Sequence, residues 1–264
     1  MTNNIYLNIA GFNIKLHFKK TSWFAIKKIF LDQIIKYHHD FIIKQKPMTI
    51  DIIINFVEKK GTDVIIKRCG NKYFVHLFEK VAENEIISFY HTDLLHFQLM
   101  IWSLISEMLI NHNGGFFLHS SAVNIKGKAN IFLGKTGEGK TTLRNLLQSH
   151  FPSLSDDISV IKKELNTYYY YQSPFTEKEY IKKQTKKYPI ERIFFLRKAS
   201  FVKIEKIEDK VKIFEELSKQ LWVEKNYYKK QLNNLLNLIN NFNNFYFLYF
   251  NKKKEELIKI LRQT

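Results

Sequence analysis

One cysteine, Cys69, is all the thiol chemistry this 264-residue chain carries. Internal disulfides are therefore excluded, and the composition suits a reducing cytoplasm. The opening residues, Met1-Thr2-Asn3-Asn4-Ile5, lack the basic segment and long apolar run of a secretory signal, so a cytoplasmic protein is expected. One stretch, 94–110, invites a membrane assignment, but His96, Gln98, Ser103, Ser106 and Glu107 interrupt it, and it reads as a buried core helix. Paired zinc ligands are missing, as is any basic run interleaved with aromatics in the manner of an RNA-recognition motif. Adjacent His38 and His39 cannot face one ligand from a regular element, and Cys69 beside Arg68 reads as a turn residue. Glycine is scarce as well. There are nine, none follows Gly139, and three of them (Gly134, Gly137 and Gly139) sit in one loop. So sparing a chain concentrates glycine where backbone must approach a ligand.

What is abundant is apolar and basic. A hydrophobic content of 45%, with 15% aromatic residues, describes a folded protein with a sizeable core. The net charge of +17 would attract nucleic acid, anionic lipid or an acidic partner. A bias toward lysine spread over solvated faces explains it more simply, and an anionic co-substrate such as ATP accounts for part of the positive potential. A nucleic-acid partner and a membrane are disfavoured, while self-association stays open.

Along the chain, Ile5, Leu7 and Ile9, then Ile14, Leu16 and Phe18, alternate around Gly11 and predict a hairpin. Residues 23–37 read as a helix. Ile50, Ile52, Ile54 and Phe56 alternate again, and short strands are expected at 63–67, 72–78 and 85–90, with turns at Gly61 and Gly70-Asn71. The first region, 1–91, is thus β-rich and carries no chemical constellation. Thr92 is the expected cap of a long helix ended by Asn113-Gly114-Gly115. Strands at 116–118 and 119–123 follow, then a turn at Lys126-Gly127-Lys128. The run Tyr168 to Tyr171 reads as a strand with one buried face, and Leu232, Leu235, Leu236, Ile239 and Phe242 recur at helical spacing.

The organising stretch is Gly134-Lys135-Thr136-Gly137-Glu138-Gly139-Lys140-Thr141-Thr142, which meets the phosphate-loop pattern G-x-x-x-x-G-K-[ST] at every fixed position. The apolar run Ile131-Phe132-Leu133 before it reads as a strand, and Leu143, Leu146 and Leu147 after it fall at helical spacing. Loop amides and the helix N-terminus supply positive potential for a phosphate. Lys140 is expected to neutralise the outer phosphates from a solvent-reachable position, and Thr141 to ligate Mg²⁺. Farther on, the adjacent Asp156 and Asp157 enter a strand at 158–161. Strands of a parallel sheet end at one edge, so this pair can reach the loop, one carboxylate serving Mg²⁺ and the other a proton.

Together, Leu118-His119, the glycine loop and Ser155-Asp156-Asp157 resemble the catalytic domain of the HPr kinase/phosphorylase family, which shares its fold with phosphoenolpyruvate carboxykinase. The later stretches 189–196, 245–250 and 255–261 resemble that domain's closing strands and helix. The resemblance implies an α/β (α+β overall) P-loop kinase domain over 92–264. It implies His119 near the transferred phosphoryl group, Lys140 on the nucleotide, Thr141 and Asp156 on Mg²⁺, and Asp157 as the base. The family's second signature, with its Glu, Arg and glycines, has no counterpart here. In its place stands the tyrosine run, with Glu177 or Glu179 as the nearby acids. Phosphorylase activity is not implied.

The leading expectation is an ATP-dependent kinase that phosphorylates a serine-type hydroxyl of a peptide, a protein or free serine. A nucleotide-binding regulatory module without turnover is the competing class. A carboxykinase is disfavoured by length, and a nucleic-acid motor by the want of sensor and arginine-finger elements.

Overall fold

The computed structural model describes residues 3–58, 66–69, 72–75, 78–90, 94–135, 137–175, 181–222 and 227–263. Among them the chain is mixed α/β, with two mixed sheets, a separate two-stranded ribbon and six α-helices. It divides into two compact units, Met1–Ile105 and Ser106–Thr264.

The first unit opens with the predicted hairpin, β1 (Asn4–Ile9) and β2 (Phe12–Phe18), whose inward positions alternate with half-exposed ones. Ala10 and Gly11 close it at φ 53° and 78°, the two left-handed residues that a tight hairpin turn needs. Next come α1 (Phe24–His38), β3 (Ile42–Ile43), β4 (Ile52–Val57), the ribbon β5 (Ile66–Cys69) and β6 (Lys72–Val75), then β7 (Glu79–Ala82) and β8 (Glu85–Phe89). The sheet order is β3-β1-β2-β4-β8-β7, with β2, β4 and β8 parallel. Phe18 stacks on Phe56 at 5.1 Å, and Phe30, Tyr90 and Phe97 complete an aromatic core. The turns expected at Gly61 and Gly70-Asn71, the ends of the strands expected at 63–67 and 72–78, and the Thr92 cap lie outside the described residues.

Helix α2 (Leu94–Met108) carries the division between the units. Among the described residues, Leu94–Asn111 is the one helical stretch long and apolar enough, by length and composition, to cross a membrane. Phe97, Met100, Ile101, Leu104 and Ile105 are buried at the i, i+3, i+4, i+7, i+8 spacing of a core helix. A π turn, Leu109–Asn113, extends it to Gly114, which stops it at φ 62°.

The second unit contains β9 (Phe116–His119), β10 (Ser121–Ile125), β11 (Lys128–Leu133), α3 (Lys140–Leu147), β12 (Ser153–Ser155), β13 (Ile158–Glu164) and β14 (Thr167–Gln172). After these come β15 (Tyr188–Lys198), β16 (Lys203–Lys206), α4 (Lys210–Ser218), α5 (Tyr228–Asn241), β17 (Phe245–Phe250) and α6 (Lys254–Gln263). One path runs β12-β10-β11-β15-β14-β13-β9, and β17, with β16 beyond it, joins β15. Strand β15 makes this possible by its length of 11 residues: its start pairs with β14, and its later part pairs with β17. Strands β11, β15 and β17 are parallel, so their carboxyl ends share an edge.

Alternation along β11 and β15 assigns the two faces. Phe132, Phe194 and Leu196 meet Leu143 and Leu147 of α3 and Leu257, Ile258 and Leu261 of α6. Ile131, Leu133, Ile193 and Phe195 face Ile213 and Leu217 of α4 and Leu235, Leu238 and Ile239 of α5. Two details depart from the sequence reading. Leu236 is exposed, its place on the buried stripe of α5 taken by Gln231 and Leu238. The tyrosine strand buries both of its faces, with Tyr168, Tyr170 and Tyr171 all inside.

Candidate functional site

The glycine loop leaves the carboxyl end of β11 at the shared edge of the parallel strands, the position where α/β sheets bind ligands. Two of its glycines hold a backbone conformation that strains any L side chain. Gly137 and Gly139 hold φ of 87° and 100°, and a Cβ at Gly139 would lie 2.8 Å from the Phe250 ring at the end of β17. Helix α3 starts at Lys140 with Gly139 as its N-cap and no capping side chain, so its first-turn amides face outward unsatisfied by side chains. Thr141 and Thr142 are exposed on that turn, and Thr136 lies outside the described residues.

Lys140 is not solvent-reachable as expected: it retains 8% exposure and its Nζ donates to the Gly134 carbonyl. An amphipathic helix seated on a sheet buries its inner face, and Lys140 lies there with Leu143, Arg144 and Leu147. Burial lowers its pKa, against the opposing pull of Asp157, Glu138 and Asp156. Within the loop, the Lys135 N–H donates to the Glu138 carboxylate at 2.6 Å, and the Glu138 N–H donates to the Lys135 carbonyl at 3.0 Å.

His119 ends β9, and antiparallel pairing sets it opposite Ile158, the residue after the Asp-Asp pair. Its Nδ1 lies 3.5 Å from Asp157 Oδ1, with the side chains 34% and 56% exposed respectively. The backbone secures both partners: Ser120 N–H donates to the Asp157 carbonyl at 2.9 Å, and His119 N–H to the Gln220 carbonyl at 2.8 Å. Beneath them Ser120, Ser155 and Ser159 form a buried hydroxyl chain, with Oγ separations of 2.6 Å and 3.0 Å at Ser159. Burial, then Lys140, lowers the His119 pKa, and Asp157 partly restores it. The imidazole is thus biased toward its neutral form, beside an exposed carboxylate and within electrostatic reach of the loop lysine.

Asp156 points elsewhere. Its Oδ1 meets Arg144 Nε at 2.9 Å, with only 9% and 2% of the two side chains exposed. His119, Asp157 and Lys140 act on one another electrostatically, and Asp156, paired with Arg144 of the loop's own helix, also acts on Lys140. A cavity of about 490 Å³ is lined by His119, Lys135, Lys219, Gln220, Leu221 and Trp222. Among the described residues, no group of three or more His, Cys, Asp or Glu is placed to hold a metal by itself. The groups that could receive a phosphate and a cation here are the left-handed glycines, the helix N-terminus without a capping side chain and the exposed Thr141.

Sequence reasoning missed Arg144, the serine chain and the 219–222 segment. Arg144 had a readable signal, a charge four residues after Lys140 on the same apolar helix face. The other two depend on long-range pairing, as in the bridge between Leu118 and Leu221, which local pattern does not encode.

No protein-family model matches this chain, and no curated protein matches it either. A solved structure to which it is similar is the Hpr(Ser) kinase/phosphatase from Coxiella burnetii, at 10% identity and a TM-score of 0.29. That similarity covers 56% of this chain and 93% of the other.

Proposed function

We propose that the second unit binds Mg-ATP through residues 134–142 and transfers the γ-phosphoryl group to a serine-type hydroxyl of a peptide, protein or small molecule. The observation that carries this reading is the approach of Asp157 to His119 at 3.5 Å, within electrostatic reach of Lys140. Phosphoryl transfer asks little covalent work of a protein beyond positioning and charge stabilisation. Asp157 is exposed enough to meet an acceptor, and it accepts the hydroxyl proton as the oxygen–phosphorus bond forms and ADP leaves with its electron pair. His119, neutral at physiological pH, orients that carboxylate. Lys140 exchanges the Gly134 carbonyl for phosphate oxygens. Mg²⁺ on Thr141 would neutralise charge on the outer phosphates.

One observation favours a second reading, a nucleotide-binding regulatory module without turnover. The engagement of Asp156 by Arg144 leaves Asp157 as the exposed carboxylate where the sequence offered a pair. A radiolabelled-ATP screen against free serine, short serine peptides and proteins separates the two. Label transferred to a hydroxyl supports the kinase, whereas tight ATP binding with no acceptor labelled transfers the assignment to the regulatory module.

A further inference from the structure

We infer that Arg144 and Asp156 are a positioning couple that locks the Asp-Asp turn to the phosphate-loop helix, and that Asp156 does not ligate Mg²⁺. This inference rests on the phosphotransfer reading above and assigns the turn's two carboxylates separate tasks. Lys140 and Arg144 stand one turn apart on the buried face of α3. Lys140 serves the loop, and Arg144, with 2% of its side chain exposed, reaches Asp156 at 2.9 Å. Its other end is braced, with Nη2 donating to Asn145 Oδ1 at 2.7 Å. Asp156 and Asp157 form the bend between β12 (Ser153–Ser155) and β13 (Ile158–Glu164), where the chain turns one carboxylate inward and the other outward. With Asp156 drawn inward to Arg144, Asp157 is turned outward to His119, as their 9% and 56% side-chain exposures record. Removing one partner of a buried ion pair strands the other charge, so the contact ties the turn to the helix.

The test compares wild type with Asp156→Asn, Arg144→Met, Arg144→Lys, the double variant Arg144→Met/Asp156→Asn, and Thr141→Ala. Calorimetric titration with ATP across a Mg²⁺ series reads metal ligation, and label transfer to the best acceptor of the screen reads positioning. In Asp156→Asn the Mg²⁺ dependence of binding stays within about threefold of wild type, because no metal ligand is lost, while Thr141→Ala requires clearly more Mg²⁺. Transfer falls by roughly 10²-fold in Asp156→Asn and Arg144→Met, the scale of a misplacement near 1 Å, with ATP affinity held. The double variant is no slower than the worse single one, as expected of groups acting as a unit. Arg144→Lys keeps more activity than Arg144→Met. Should Arg144→Met fail to fold, the double variant, which leaves no unpaired buried charge, carries the comparison with Asp156→Asn. A Mg²⁺ requirement in Asp156→Asn matching that of Thr141→Ala overturns the inference and makes Asp156 a metal ligand. Additive losses in the double variant overturn it also. Failure of wild type to bind ATP at all removes the phosphotransfer reading itself, and this inference with it.

Discussion

Replacing Gly139 with alanine perturbs the loop in two ways whose sizes the geometry separates. The backbone holds φ at 100°, where an L side chain pays roughly 1–2 kcal/mol. The new methyl would also sit 2.8 Å from Cζ of Phe250, a ring only 4% exposed and packed among Leu248, Leu257 and Ile258. Forcing extra volume into a packed site typically costs about 1–3 kcal/mol, so the loss for Gly139→Ala is about 2–5 kcal/mol. Gly127 is the control. It holds φ at 84° in the β10–β11 turn with nothing within 4 Å, so Gly127→Ala carries the backbone share alone. Thermal unfolding followed by circular dichroism measures both, at about 2–4 °C per kcal/mol for a unit of this size. Gly139→Ala should unfold clearly below Gly127→Ala. Equal midpoints would refute the close packing of β17 against the glycine loop, and with it the argument that only glycine fits there.

Three further outcomes follow from the same geometry. Lys140→Ala should weaken Mg-ATP binding by about 10- to 10²-fold, matching the ~1.5–3 kcal/mol of hydrogen bonds to a charged group, as read by calorimetry. The His119 imidazole should titrate below the ordinary histidine value in an NMR pH series. Asp157→Asn should lower that midpoint further and Lys140→Ala should raise it, because Asp157 raises and Lys140 lowers it. A histidine pKa depressed by folding adds stability above the unfolded value near 6.5 that is lost as pH falls through the folded value. The unit should therefore weaken below about pH 6.5, and less so in His119→Gln.

The local elements of this protein were readable because local physics sets them. Alternation around Gly11 gave the first hairpin, Asn113-Gly114-Gly115 marked the end of α2, and the strand, loop and helix around Gly134 to Thr142 stand where the pattern put them. What escaped was set by pairing between distant segments. Nothing near His119 announces that β9 pairs with β13, yet that register brings the histidine to Asp157. Nor does 188–198 reveal that one strand will serve β14 with its start and β17 with its end. The Asp-Asp pair was legible as two adjacent carboxylates but not as two environments, because the buried partner of Asp156 arrives from α3.

One paired measurement tests Asp157 as proton acceptor directly: label transfer from ATP and ATP affinity in the same preparations of wild type and Asp157→Asn. Asparagine keeps the shape and removes the basic oxygen, so transfer should fall by about 10²–10⁴-fold while affinity stays within a few-fold. Transfer at the wild-type rate would contradict the assignment of Asp157 as the base.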